Sequence, residues 1–255
     1  MNQNIKYVLK SITSKGYKAY IVGGFVRDHL MLNEISKDID ITTNAPSSVI
    51  TELFSSYNPK VFMYETVRFK VEEFNFDIAH FRRERLVDKN VEVEFTENLS
   101  EDSFRRDFTV NAIYMDESLK YTDYHNGIGD LNSRILRFIG DSITRLEEDP
   151  SRILRYIYFL VKLDFKYDDM EFSKIKNNAM LYLNRCSLYD INKYFVKILD
   201  LNKIKQTVSI LSELNILDFF FEKIDLSNLN DINVFLVKSK YRFISQLPNR
   251  YKKLK

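Results

Sequence analysis

Asp38 and Asp40 stand either side of a single isoleucine, shortly after the segment Val22-Gly23-Gly24-Phe25-Val26-Arg27-Asp28. On an extended strand successive side chains alternate, so the two carboxylates share a face about 6.6 Å apart along the backbone, and Ile39 and Ile41 take the other face. Two carboxylates held together are costly unless a cation neutralises them, and hard oxygen donors favour Mg²⁺. The adjacent glycines follow the apolar run Ala19 to Val22, which predicts a strand ending in a tight turn without Cβ atoms. Backbone N–H groups there can approach an anion at the start of the next helix. A phosphate-binding turn beside a two-carboxylate metal site has the parts that phosphoryl or nucleotidyl transfer requires.

Three more segments carry chemistry of this kind, each with a plainer structural alternative. In Phe74-Asn75-Phe76-Asp77-Ile78-Ala79-His80-Phe81 the alternation turns Asp77 away from the apolar face. It is either a third carboxylate lining the metal site or an exposed polar residue on a strand. Arg105-Arg106-Asp107-Phe108-Thr109-Val110-Asn111-Ala112 sets two guanidiniums beside a carboxylate. Their fork geometry suits phosphate and ribose, and the alternative is a surface ion-pair cluster. In Glu148-Asp149-Pro150-Ser151-Arg152-Ile153-Leu154-Arg155, Asp149 could cap a helix whose first residue is Pro150, with the arginines as solvated partners. The same Asp and Arg side chains could instead read the Watson–Crick edge of a base. A helical wheel clusters Glu148, Arg152 and Arg155 opposite Ile153, Ile157, Leu160 and Val161, which form the expected core side.

These groups need a scaffold, and the chain is long enough to build one. Its 255 residues are 45% hydrophobic and 29% charged, enough for one large or two small soluble domains, and only six Gly and four Pro favour helix. The lone Cys186 excludes an internal disulfide and a multi-cysteine metal site and suits a reducing cytoplasm. His29, His80 and His125 are too far apart for a helical zinc motif. No apolar run reaches the length of a transmembrane helix, and residues 1–17 lack a signal-peptide core, so a cytoplasmic protein without a cleaved leader is expected. Periodicity predicts helices over 3–15, 25–32 and from Pro46 to about 55. Strands are expected over 19–22, 38–42, 60–63, 67–72, 74–81, 91–95 and 112–115. A helix is expected to begin near Arg106, and an all-helical remainder from Asp149. Net charge is only +2, but residues 232–255 carry seven Lys/Arg and no acid, interleaved with Tyr241, Phe243 and Tyr251. Such a stretch suits an RNA backbone or a solvated tail.

Taken together and in order, these segments resemble the class II nucleotidyltransferases, the family of CCA-adding enzymes and bacterial poly(A) polymerases. The likeness spans residues 20–163. It rests on Gly23-Gly24, Arg27-Asp28 and Asp38-Ile39-Asp40, then Phe81-Arg82 and the Arg105 to Ala112 block. It continues through Asp130-Leu131, Arg134-Ile135-Leu136-Arg137 and Gly140-Asp141 to Glu148-Asp149, Arg152-Ile153-Leu154-Arg155. The resemblance implies an α+β fold: a nucleotidyltransferase head with a mixed β-sheet flanked by helices (1–135), then an all-helical neck (136–185) and body (186–255). It further implies that Asp38 and Asp40 hold catalytic Mg²⁺ with Asp77 as a candidate third carboxylate. Gly23, Gly24 and Arg27 would contact the triphosphate and Arg106 its sugar and phosphates. Asp149 and Arg152 would hydrogen-bond the edge of C or A, with Arg155 supporting the triphosphate. The implied partners are tRNA, CTP and ATP, with no membrane, and a monomer is expected.

Phe62-Met63-Tyr64-Glu65-Thr66-Val67 is similar to the His-Gly-Thr-Val strand of the CCA-adding branch and lacks the Gly-Arg-Arg-Phe pattern of the polymerases. Poly(A) synthesis, addition of CC only, and a degenerate RNA-binding protein are the alternatives. Four departures bear on them. Tyr158 replaces a family arginine, and the loop expected over Glu84 to Val91 is short. Ser187-Leu188-Tyr189-Asp190-Ile191 differs from the usual Ser-x-Glu-Arg-Ile, and the sequence stops before a typical tail domain, leaving the basic stretch Lys238 to Lys255 as the expected substitute for its phosphate contacts.

Overall fold

The computed structural model describes residues 1–32, 36–87 and 90–220. The basic stretch Lys238 to Lys255 lies outside them. The chain divides into two compact units, Met1–Ser133 with Arg137–Ile139, and Arg134–Leu136 with Gly140–Lys255. The boundary expected after residue 135 falls inside this exchange.

In the first unit the elements run α1 (Gln3–Thr13), β1 (Ala19–Val22), α2 (Gly24–Leu32), β2 (Asp38–Thr43), α3 (Ser47–Leu53), β3 (Lys60–Phe62), β4 (Thr66–Val71), β5 (Phe74–His80), β6 (Arg82–Val87), β7 (Asn90–Phe95), α4 (Leu99–Phe104), β8 (Ile113–Met115), β9 (Tyr121–Asp123) and α5 (Gly127–Ser133). Seven strands make one mixed sheet in the order β3-β4-β5-β2-β1-β8-β9, in which β2 and β5 are parallel. One face is apolar: Ile39 and Ile41 of β2, Val67 and Phe69 of β4, and Phe76 and Ile78 of β5 are all buried. Phe54 stacks on Phe69 at 4.6 Å, and Phe69 on Phe76 at 5.5 Å, which welds the segment after α3 to this face. Helix α1 buries Ile5, Val8, Leu9 and Ile12 at three- and four-residue spacing, and Asn2 caps it by accepting from the Asn4 N–H at 2.8 Å. The opposite face of β4, β5 and β2 is left for polar side chains.

Two expectations about this unit need correction. No helix begins at Arg106: α4 ends at Phe104 and Arg105 closes it. The reason is a long-range competitor, because the Thr109 N–H donates to the Arg137 carbonyl at 3.1 Å and the Ile139 N–H to the Asp107 carbonyl at 3.0 Å. Residues 107–109 therefore pair in extended form before the single 3₁₀ turn Thr109–Asn111. Nor is the stretch from Glu84 a loop, since 82–87 pairs antiparallel with 90–95 as a separate hairpin.

The second unit comprises β10 (Ile135–Leu136), α6 (Ser142–Glu148), α7 (Arg152–Leu163), β11 (Lys166–Tyr167), α8 (Asp169–Arg185), α9 (Leu188–Asp200), α10 (Ile204–Glu213) and α11 (Leu217–Phe220). It is helical apart from one short parallel pairing of β10 with β11. In α7 the expected core side, Ile153, Ile157, Leu160 and Val161, is fully buried. Helix α9 starts with a reciprocal cap in which the Ser187 hydroxyl accepts from the Asp190 N–H at 3.1 Å and donates to its carboxylate at 2.6 Å. Asp149 does not cap α7. Pro150 forces the residue before it into extended backbone, at φ −147° and ψ 97° for Asp149, so α6 stops there and Ser151 takes the N-cap of α7.

Candidate active site

The polar face of the first unit is assembled by register. Asp40 lies beside Asp77 across the parallel β2–β5 pair, and Asp77 lies beside Arg68 across β5–β4. One step along, Asp38 neighbours Asn75, whose Nδ2 donates to Asp38 Oδ1 at 2.8 Å. These residues line a cleft of about 500 Å³. Asp38 and Asp40 are open to solvent there, on the face opposite Ile39 and Ile41. Asp77 is on the same face, but both its oxygens are taken by Arg68, with Nε at 2.5 Å and Nη2 at 2.7 Å. Desolvation in the cleft holds the Asp40 carboxyl above the ordinary carboxylate range; Asp77 and Asp38 push the same way, against the lowering pull of Arg106. Among the described residues no group of three or more His, Cys, Asp or Glu side chains is arranged to hold a metal ion. The two-carboxylate pair nevertheless fits a divalent cation, because both groups lie on one face of the cleft and a cation there would offset the desolvation and the neighbouring charges that raise Asp40.

Strand β1 brings the glycine turn to this pair. Val22 neighbours Asp40 across β1–β2, and Gly23 follows at φ +80°, a left-handed conformation that L side chains rarely adopt. A Cβ on Gly23 would sit 3.1 Å from Asp40 Oδ2, so the glycine also leaves room for the carboxylate. Gly24 opens α2 with ordinary backbone. Arg27, one turn on, is buried: it donates to Asn111 Oδ1 at 2.5 Å and to Asp28 Oδ1 at 2.8 Å. Asn111 in turn donates to Asp107 at 3.3 Å, so Arg27 ties α2 to the Arg105 to Ala112 block. That block is pinned from below by buried Asp130, which accepts from the Thr109 hydroxyl at 2.7 Å and pairs with Arg137.

The residue that organises the two arginines escaped the sequence reading. Asp102, fully buried on α4, accepts from Arg105 Nε at 2.8 Å, Arg106 Nη2 at 3.2 Å, the Tyr114 hydroxyl at 3.2 Å and the Arg82 N–H at 3.3 Å. Arg106 Nε also donates to the Tyr114 hydroxyl at 3.0 Å. Burial alone would raise the Asp102 carboxyl, but Arg106 and Arg105 outweigh it and hold the group below the ordinary range. Its signal was present as an acid three and four residues before a pair of arginines.

In the second unit Arg152 is buried, not a solvated partner. Its Nη1 donates to Glu148 Oε2 at 2.7 Å and to the Arg145 carbonyl at 2.8 Å, while among the described residues its Nε has no hydrogen-bond partner. Asp149 instead accepts from the Ser151 N–H at 2.9 Å and from Arg155 Nη2 at 3.0 Å. Glu148 thus pairs with both Arg152 and Arg145, and Asp149 pairs with Arg155. On α9, Lys193 and Lys197 each lie 5.5 Å from the Tyr194 ring, and Lys197 also lies 5.9 Å from the ring of Tyr158.

Comparison with known proteins supplies an independent reading. Residues 19–137 match the poly A polymerase head domain. A CCA-adding enzyme of Staphylococcus epidermidis is 33% identical over 237 residues, which is 89% of this chain and 58% of that protein. A CCA-adding enzyme of Lactobacillus johnsonii is 37% identical over 193 residues, 74% of this chain and 48% of that protein. The crystal structure of the Bacillus stearothermophilus CCA-adding enzyme in complex with CTP superposes with a TM-score of 0.74 at 29% identity, covering 84% of this chain and 52% of the other. The chain spans about half the length of the curated relatives it matches.

Proposed function

We propose, from the match of residues 19–137 to the poly A polymerase head domain and the likeness to CCA-adding enzymes, that the chain is a nucleotidyltransferase that adds the 3′-terminal C, C and A to tRNA from CTP and ATP without a nucleic-acid template. The observation that carries this reading is the Asp38–Asp40 pair, open to a cleft beside the Gly23 turn. Asp38 and Asp40 would hold Mg²⁺, which supplies activation of the RNA 3′ hydroxyl and stabilises charge on the α-phosphate and pyrophosphate. Asp77, clamped by Arg68, adds a third negative charge beside Asp40 and fixes a guanidinium at the cleft edge. Gly23 and Gly24 offer backbone N–H groups to the triphosphate, and buried Arg27 holds that turn and Asn111 in place. Arg106 serves the sugar and phosphates in the orientation that Asp102 and Tyr114 impose.

Base recognition belongs to residues 136–185 and tRNA binding to 186–255, where Lys193, Lys197 and their tyrosines suit an RNA backbone. The protein works as a cytoplasmic monomer. Asp149 and Arg152 read the base edge, and Arg155 supports the triphosphate. Glu148 grips one end of the Arg152 guanidinium and leaves its Nε donor for a ligand.

Incubating the protein with Mg²⁺ and one labelled triphosphate at a time should incorporate C into tRNA lacking its CCA end and A into tRNA ending in CC, and exclude U and G from both; no incorporation overturns the reading. Arg152→Ala should then narrow the preference for CTP and ATP over UTP and GTP by about tenfold, since a lost hydrogen-bond partner costs about 1–3 kcal/mol. Ratios among the four triphosphates do not depend on the fraction of protein folded. Equal loss for all four would make Arg152 a structural residue.

A further inference from the structure

Resting on the nucleotidyltransferase reading, we propose that Phe62, Met63 and Tyr64 form a stacking shelf for the unpaired 3′ bases of the RNA acceptor. Residues 61–64 are the longest run of exposed large apolar side chains among the described residues: Val61 55%, Phe62 48%, Met63 73% and Tyr64 41% exposed. They lie on and just after β3, an edge strand of the sheet, where among the described residues no further strand pairs with them. Exposure here is built in. Tyr64 and Glu65 both have left-handed backbone, at φ 56° and 53°, which non-glycine residues rarely adopt, and the Glu65 carboxylate accepts from the Ser47 N–H at 3.2 Å to hold the turn.

Two cations identify the occupant. The Arg68 guanidinium, which also pairs with Asp77, stands 5.1 Å from the Phe62 ring, and that of Arg82, whose Nε donates to Glu84 at 2.9 Å, stands 4.9 Å from the Tyr64 ring. Exposed aromatic faces interleaved with guanidiniums suit single-stranded nucleic acid, whose bases stack on the rings and whose phosphates meet the cations. The shelf also leads into the carboxylate cleft, since Arg68 is the residue that clamps Asp77 beside Asp40. An RNA end resting on it arrives where its hydroxyl is needed. A second copy of the chain pairing along β3 would instead use the apolar area with no need for aromatic faces.

The test uses an acceptor-stem RNA whose last unpaired nucleotide is 2-aminopurine, read by fluorescence without triphosphate or metal. Binding to the full chain should quench the probe. Phe62→Leu with Tyr64→Leu keeps the apolar area and removes the π-faces; it should abolish most of the quench and weaken RNA binding about tenfold, within what one stacked base contributes. Phe62→Tyr with Tyr64→Phe should preserve both. No quench with the unsubstituted protein, or equal quench with the leucine variant, overturns the shelf. So does a leucine variant that changes only sedimentation behaviour, which would assign the face to self-association. The transfer reading fails separately, by absence of labelled nucleotide in the product of the unsubstituted protein.

Discussion

Asp38→Ala and Asp40→Ala, made singly, should each lower transfer of every nucleotide by about 10³-fold or more. Both carboxylates point from one face of β2 into the same cleft, and neither has a neighbour able to replace it, because Asp77 is held at both oxygens by Arg68. Losing several kcal/mol of charge stabilisation at the reacting phosphate has an effect of that size. Binding of tRNA should change little, since RNA affinity comes mainly from backbone contacts elsewhere. Filter binding and transfer measured on the same preparations separate the two. A variant that keeps transfer within tenfold of the unsubstituted protein would remove Asp38 and Asp40 from the chemistry.

The second large effect falls on stability. Asp102→Asn should destabilise the first unit by about 3–5 kcal/mol, because it leaves the guanidiniums of Arg105 and Arg106 facing a buried neutral group. It should also release Arg106 from its place beside Tyr114, so the KM for triphosphate should rise in the fraction that remains folded. The pH dependence has a definite sign. The Asp102 carboxyl is held below its ordinary range when folded, so its contribution is present above the unfolded pKa and is lost as pH falls through the folded one. Thermal melts from pH 7 downward should therefore show an acid-induced loss in the unsubstituted protein that is shallower in Asp102→Asn. Parallel acid limbs would mean that other carboxylates set the acid sensitivity.

What the sequence disclosed and what it hid follow from the range of the interactions involved. The faces of β2 and β5 were legible because alternation is local: Ile39, Ile41, Phe76 and Ile78 are buried, and Asp38, Asp40, Asn75 and Asp77 share the other face. The pairing of Asp77 with Arg68 was hidden because it depends on the register of two strands. The end of α4 was hidden because residues 107–109 are claimed by 137–139, about thirty positions away. That misplacement concealed Asp102, whose spacing to Arg105 and Arg106 makes sense only on a helix that precedes them. The resemblance places Arg27 at the triphosphate, whereas its burial against Asn111 depends on a residue 84 positions distant. The break between α6 and α7 was available in the sequence, since Pro150 restrains the residue before it.

The central claim is templateless addition of three defined nucleotides, and the sequence of the product tests it most directly. tRNA ending at its discriminator base is incubated with the protein, Mg²⁺, CTP and ATP together, and the extended RNA is sequenced. The account predicts two C and one A, in that order, with no further extension. Unextended RNA, a product that stops after two C, or a lengthening run of A would contradict it.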